Sequence, residues 1–311
     1  MRVLSLFDGI SCARVALERV GIPVEAYYAS EIDKYAIQIS QKNYPDIIQV
    51  GDVKFLTSAK NILCRDATEF YDTGDIDLLI GGSPCQDLSI AKRNRKGLDG
   101  ERSGLFWEYV RILKEVKPKY FILENVASMR PEDRDIISKT LGVEPVMFNA
   151  SLVSAQMRKR LFWTNIKFTL PEDRNIKLKD VLIDGIAEKE KSLVITATYS
   201  RACPQDYFGR SNRQLIKVGE FNSGGQGDRV YSIDGKSVTL SALGGGRGAK
   251  TGLYETTKGI YRKLHPIECE RLQGLPDGYT DGVSNTQRYK ACGNAFNVDV
   301  VVHILSFIPK E

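Results

Sequence analysis

A chain of 311 residues, 42% hydrophobic and 27% charged, has material for one large domain or two and for a core without staples. Its apolar runs fall short of the roughly 18 residues of a membrane span, and Met1-Arg2 leads into an apolar strand with no cleavage-site pattern, so neither a transmembrane segment nor a signal peptide is expected. Six scattered cysteines without a Cys-x-x-Cys pair, and only two histidines, His265 and His303, point to a reduced, cytoplasmic protein with no metal centre.

Val3 to Phe7 reads as a first strand, Asp8-Gly9-Ile10-Ser11 as a tight turn, and Ala13 to Val20 carries apolar residues at helical spacing. Strand, glycine turn and helix start together expose backbone N–H groups that suit a nucleotide-like ligand, although many such turns bind nothing. A second strand, Ala26 to Ser30, ends at Glu31 about 20 residues after that turn, a usual place for a ribose-binding acid. Glu31 could equally complement the dipole of the helix that follows from Asp33 to Ser40. Ile47 to Val50 leads to Gly51-Asp52-Val53, another strand-end acid, suited to an adenine amino group.

Leu78-Leu79-Ile80 is a short buried strand closed by Gly81-Gly82, with Pro84 stiffening the turn before Cys85. That edge of an open α/β sheet is where ligands bind. The loop beyond carries Lys92, Arg93, Arg95, Lys96 and Arg102, so the Cys85 thiol is either packed in a strand-end turn or placed to attack something large and anionic. Leu105 to Val116 is an amphipathic helix. Lys119 to Leu123 is the next strand, ending in Glu124-Asn125-Val126, and Pro145–Phe148 and Leu161–Thr164 are two more. Strands alternating with helices specify an α/β fold with a doubly wound, mostly parallel sheet.

Composition shifts at Leu170-Pro171. Between Tyr199 and Lys263 lie 12 of the 27 glycines, and 11 Lys/Arg against 5 Asp/Glu, interleaved with aromatic residues. By itself this could be a solvated, loop-rich module; beside a catalytic sheet it reads as a surface for nucleic acid. The expected division is 1–170 plus 281–311 for the sheet domain and 171–280 for a smaller recognition domain. His265 to Gln273 and Asn297 to Phe307 read as closing helices.

The ordered motifs resemble the DNA (cytosine-5)-methyltransferase family, of the bacterial and phage type, over nearly the whole chain. Phe7-Asp-Gly-Ile-Ser11 is similar to its cofactor turn, with Ser11 where most relatives carry glycine. Glu31 and Asp52 match the next two cofactor motifs, Gly82-Ser-Pro-Cys-Gln86 the nucleophile motif and Glu124-Asn-Val126 the acidic one. Gln156-x-Arg-x-Arg160, Arg271-Leu-Gln-Gly-Leu-Pro276 and Gly293-Asn-Ala295 match the remainder. RNA-directed relatives share these motifs but usually carry a Cys-Phe-Thr tripeptide, which this sequence lacks.

The resemblance implies a Rossmann-like methyltransferase that flips a cytosine out of double-stranded DNA and moves a methyl group to its C5 from S-adenosyl-L-methionine. It implies Cys85 as the nucleophile at C6, Glu124 at N3 and the exocyclic amine, and Arg160 with Arg158 at O2 and a flanking phosphate. It implies a cofactor pocket of Phe7, Asp8, Gly9, Ile10, Ser11, Glu31, Ile32, Asp52, Val53, Ser83, Pro84, Leu105, Asn294, Ala295 and Phe296. It further implies a monomer, with a cognate restriction endonuclease as a partner in function only. Arg201, Arg210, Arg213, Arg229 and Arg247 are the candidates for guanine contacts, since guanidinium pairs bidentately with O6 and N7.

Overall fold

The computed structural model describes residues 1–59, 62–65, 68–83, 104–203, 205–211, 213–219, 230–232, 253–255 and 260–309. Along the chain run β1 (Arg2–Leu6), α1 (Cys12–Val20), β2 (Ala26–Ser30), α2 (Lys34–Asn43) and β3 (Ile48–Gln49). A small meander follows, β4 (Leu56–Ala59), β5 (Ile62–Arg65) and β6 (Glu69–Asp72), before β7 (Leu78–Gly81). Then come α3 (Leu105–Val116), β8 (Tyr120–Val126), α4 (Pro131–Leu141), β9 (Val146–Asn149) and β10 (Lys159–Thr164). The later strands β11 (Leu215–Gly219), β12 (Val230–Ser232), β13 (Leu253–Glu255) and β14 (Ile260–Lys263) precede α5 (Pro266–Leu272), α6 (Asn285–Asn294) and α7 (Val298–Leu305).

Seven strands form the main sheet in the order β3-β2-β1-β7-β8-β10-β9. The pairs from β3 to β8 are parallel, whereas β10 runs antiparallel to both its neighbours. Both faces are covered, and the alternation of strand residues shows how. Val3, Leu78 and Ile80 share one core with Ala16 of α1 and Val300, Val301 and Ile304 of α7. Leu4, Leu6 and Leu79 point the other way, against Phe106, Tyr109 and Ile112 of α3. A strand buried on both faces reads as a continuous apolar run, which is why β7 was legible as Leu-Leu-Ile.

Helix ends follow local chemistry. Asp33 caps α2 by accepting from the Tyr35 and Ala36 amides, and His265 and Glu268 form a reciprocal box at the start of α5. α4 begins with Pro131 and stops at Gly142 in the left-handed region.

A third core gathers Leu178, Ile195, Tyr199, Leu215, Ile216 and Leu264 around Cys269 and Leu272 of α5 and Tyr289 and Cys292 of α6. It also takes Ala155 from beside β10, so its packing crosses both sequence breaks, at 170/171 and at 280/281. Most of the glycine-rich stretch, with Arg229 and Arg247, lies outside the described residues, as do Pro84, Cys85 and the basic loop after them.

Candidate active site

The strand order reverses between β1 and β7, so their carboxyl ends open a crevice at a topological switch point. The turn leaving β1 occupies one lip. Phe7, Gly9 and Ser11 all have positive φ, at 57°, 62° and 59°. The Gly9 amide donates to Glu31 Oε2 at 2.8 Å, and the other carboxylate oxygen accepts from the Ile32 and Asp33 amides at 2.7 and 2.8 Å. Ile32 beside it is 72% exposed. Asp52 starts a short turn at the end of β3, accepting from the Lys54 amide at 3.0 Å, and Val53 is buried beneath it.

Asp8 does not face the crevice. Its buried carboxylate accepts from Ser11 Oγ at 2.5 Å and from the Tyr27 hydroxyl at 2.7 Å. Burial pushes the Asp8 carboxyl up from its ordinary value, and those two hydroxyl donors act against the rise. Ser11 Oγ also meets Ser40 Oγ at 2.6 Å, and the Tyr279 hydroxyl donates to the Ile10 carbonyl at 2.8 Å. The turn is therefore fixed from below, by groups other than those it presents to a ligand.

Ser11 is a non-glycine residue in a left-handed conformation, which costs roughly 1 kcal/mol or more. Its two side-chain hydrogen bonds offset that cost. Ser11→Ala is thus expected to destabilise the fold by about 1–3 kcal/mol, since it keeps the strained backbone and orphans buried oxygens. Ser11→Gly is expected to lose less, because glycine removes the strain as well. Denaturant melts of the two variants check the ordering.

The second lip is Gly81-Gly82-Ser83. A Cβ on Gly82 would stand 2.8 Å from the Phe296 ring and 3.2 Å from Glu124 Oε2, so only glycine fits without displacing them. Asn125, buried behind, donates to the Ser83 carbonyl at 3.3 Å and Ser83 Oγ at 3.2 Å, tying β8 to this turn. Leu105, at the start of α3, is partly buried against the core of that face. Ala295 is buried at the end of α6, next to Asn294.

Glu124 sits near the end of β8 with its side chain only 13% exposed, and Arg160 Nε binds its Oε1 at 2.7 Å. The antiparallel direction of β10 makes this possible. Its first residues emerge where the parallel strands end, and Arg160, paired with Val126, is diagonal to Glu124 on the same face. Oε1 is thereby taken by Arg160, while Oε2 lies on the Gly82 side.

Arg158 departs from expectation. In place of a role with Arg160 at O2 and a flanking phosphate, its buried guanidinium donates to the carbonyls of Ile195, Gly293 and Ala295. It precedes the first residue of β10, so the strand alternation that directs Arg160 does not direct it. Asn125, Tyr27 and Ser40 are the supporting residues that sequence reading passed over. Asn125 stood within a recognised motif; nothing marked the other two.

On the far side of α6, the Tyr199–Arg201 turn gathers cations. Arg213 donates to Thr198 Oγ1 at 2.9 Å and to the Arg201 carbonyl at 3.4 Å, and Lys263 to the Ser200 carbonyl. Arg201 and Arg210 are exposed. Among the described residues no group of three or more His, Cys, Asp or Glu could hold a metal, and no helix is long and apolar enough to cross a membrane.

Residues 1–310 match the family model for C-5 cytosine-specific DNA methylase. The type II methyltransferase M.HhaI of Haemophilus parahaemolyticus is 32% identical over 99% of this chain and 93% of its own. The orphan methyltransferase M.Rho11sI of Bacillus phage rho11s is 28% identical over 92% of this chain and 66% of its own. Among solved structures, the Entamoeba histolytica methyltransferase EhMeth superposes with a TM-score of 0.67 at 14% identity, over 98% of this chain and 96% of that one.

Proposed function

Because the chain belongs to the C-5 cytosine-specific DNA methylase family, we propose that the crevice between β1 and β7 is where a cytosine and a methyl donor meet, with Glu124, Arg160 and Cys85 around the base. The protein is a DNA (cytosine-5)-methyltransferase, and its family acts through S-adenosyl-L-methionine. The observation that carries the site is the free side of the Glu124 carboxylate, held against Gly82 three residues before Cys85.

C5 of cytosine is a weak nucleophile. A bond from Cys85 Sγ to C6 makes C5 electron-rich, and the C5–methyl bond can then form. Loss of the C5 proton and of the sulfur restores the ring. Glu124 Oε2 serves N3 and the exocyclic amine, so the ring accepts the electron pair without building free negative charge. Arg160, bonded to Oε1 through Nε and to the Lys159 carbonyl through Nη1, orients that carboxylate and offers Nη2 to O2. The nucleotide must leave the duplex to reach these groups, at a cost of a few kcal/mol.

The residues around the first lip fit the donor. Glu31 accepts hydrogen bonds of the kind a ribose diol gives, Ile32 offers an exposed apolar face for an adenine, and open space adjoins Gly9. Bound there, S-adenosyl-L-methionine supplies an electrophilic methyl group. Asp52 receives the adenine amine, and Asn294, Ala295 and Phe296 close the pocket from the C-terminal side. Residues 171–280 form the sequence-reading module, where Arg201, Arg210 and Arg213 meet double-stranded DNA and the enzyme works as a monomer.

The decisive experiment traps the covalent step. A duplex carrying 5-fluorocytosine at the methylation site, with S-adenosylmethionine, should give a complex that survives denaturing electrophoresis. Cys85→Ala should abolish it and leave DNA binding largely in place. Trapping by the alanine variant at the wild-type level would remove Cys85 from the reaction.

A further inference from the structure

We infer that Arg158 is a positioning residue that joins the cofactor side of the site to the DNA side, so that the two ligands bind cooperatively through its guanidinium. This rests on the reading of 293–296 as the cofactor wall and of the 196–201 turn as part of the DNA face.

The two segments run in contact. A Cβ on Gly293 would lie 2.3 Å from the Ala197 nitrogen and 2.3 Å from the Thr196 carbonyl carbon, so the backbones touch there. Arg158 bridges the same junction. Its Nη2 donates to the Ala295 carbonyl at 2.8 Å, and its Nη1 reaches the carbonyls of Gly293 at 3.3 Å and Ile195 at 3.4 Å. Its own backbone is clamped, with its amide on Asn149 Oδ1 at 3.0 Å and its carbonyl accepting from the Ala150 amide at 3.0 Å. The guanidinium is a rigid planar fork, so a carbonyl on one side cannot shift without loosening the bond on the other.

Each segment leads to a ligand. Immediately after Ala295, Phe296 packs on Gly82, beside Glu124. Immediately after Ala197, Thr198 and the carbonyls of Ser200 and Arg201 receive Arg213 and Lys263. Order imposed on 293–296 by a bound cofactor is therefore shared with the turn that carries the cations. Linkage requires the converse as well: DNA must tighten cofactor binding by the same factor.

The test measures that factor. Calorimetry gives the affinity for S-adenosylhomocysteine with and without a duplex containing the site mapped by bisulfite sequencing, and fluorescence anisotropy gives the reciprocal. The wild type is expected to show a coupling of roughly 5–150-fold. Arg158→Lys keeps the charge but cannot span three carbonyls, and its coupling should fall to near 1 while each ligand alone binds within a few-fold. Gly293→Ala, which wedges the same junction from the other segment, should uncouple the ligands too.

Unchanged coupling in both folded variants overturns the inference. So does a loss of DNA affinity with coupling intact, which would return Arg158 to the DNA itself. Absence of coupling in the wild type also overturns it and leaves the methyltransferase reading to the fluorocytosine trap. If neither variant folds, Arg158 is a keystone of the fold and the coupling role falls.

Discussion

Glutamine at position 124 is expected to slow methyl transfer by about 10²–10⁴-fold, the usual contribution of a positioned proton-transfer group. The reason lies in how the two carboxylate oxygens are divided. Oε1 accepts from Arg160 Nε at 2.7 Å and Oε2 faces Gly82. An amide has one acceptor oxygen, so it must choose. If the oxygen stays with Arg160, an NH₂ group faces N3 of the cytosine and cannot deliver a proton in the way a carboxyl does. If it turns, two donors oppose each other beside Arg160. Either way the Asn125–Ser83 tie remains, so affinity for DNA and for S-adenosylhomocysteine should stay within a few-fold. Single-turnover methylation separates the two quantities. A variant that binds poorly but transfers methyl at the normal rate would show that Glu124 holds the substrate rather than activating it.

The largest stability effect is expected at Glu270. This fully buried carboxylate accepts from the Thr280 amide at 2.8 Å, the Gly278 amide at 2.7 Å and Arg288 Nη2 at 2.9 Å. Arg288 also binds Asp281 at 2.8 Å and the Thr280 hydroxyl at 2.9 Å. The network pins the turn between α5 and α6. Arg288→Met removes the only cation bonded to Glu270 among the described residues and leaves the buried charge with neutral donors alone. A loss of about 3–5 kcal/mol is expected, the range for breaking a buried pair from one side. Urea unfolding checks it, and the double variant Glu270→Gln with Arg288→Met should recover part of the loss, because it removes the stranded charge. A single-variant cost below about 1 kcal/mol would show that water reaches the site.

Much of this architecture is legible in the residues, for identifiable reasons. Apolar runs such as Leu78-Leu79-Ile80 mark strands covered on both faces, and α3 matches its expected span, Leu105–Val116. The meander of β4 to β6 leaves little mark in the sequence. Its four-residue strands leave Phe70 67% exposed, so the apolar pattern that marks a strand is weak there. α6 was hidden for a related reason: it is mostly polar and carries Gly293 in its last turn, where packing on Thr196 and Ala197 overrides the cost of a helical glycine. Within the site, Glu124 and Arg160 were readable because register along adjacent strands sets which side chains meet. Arg158 was not, because its partners are carbonyls brought in from residues 195, 293 and 295, and backbone acceptors leave no trace in residue identity.

The contact between Gly82 and Phe296 carries a consequence in time. Arg160 leaves the ribosome 136 residues before Phe296, an interval of roughly 7–27 s at ~5–20 residues per second. Throughout that interval Val3, Ala16 and Leu78 lack the α7 residues that cover them, and the glycine lip lacks its aromatic wall. A half-made chain thus holds the acidic and basic groups of the site with nothing to seat them against. Methyl transfer is therefore expected only once the last helix has docked.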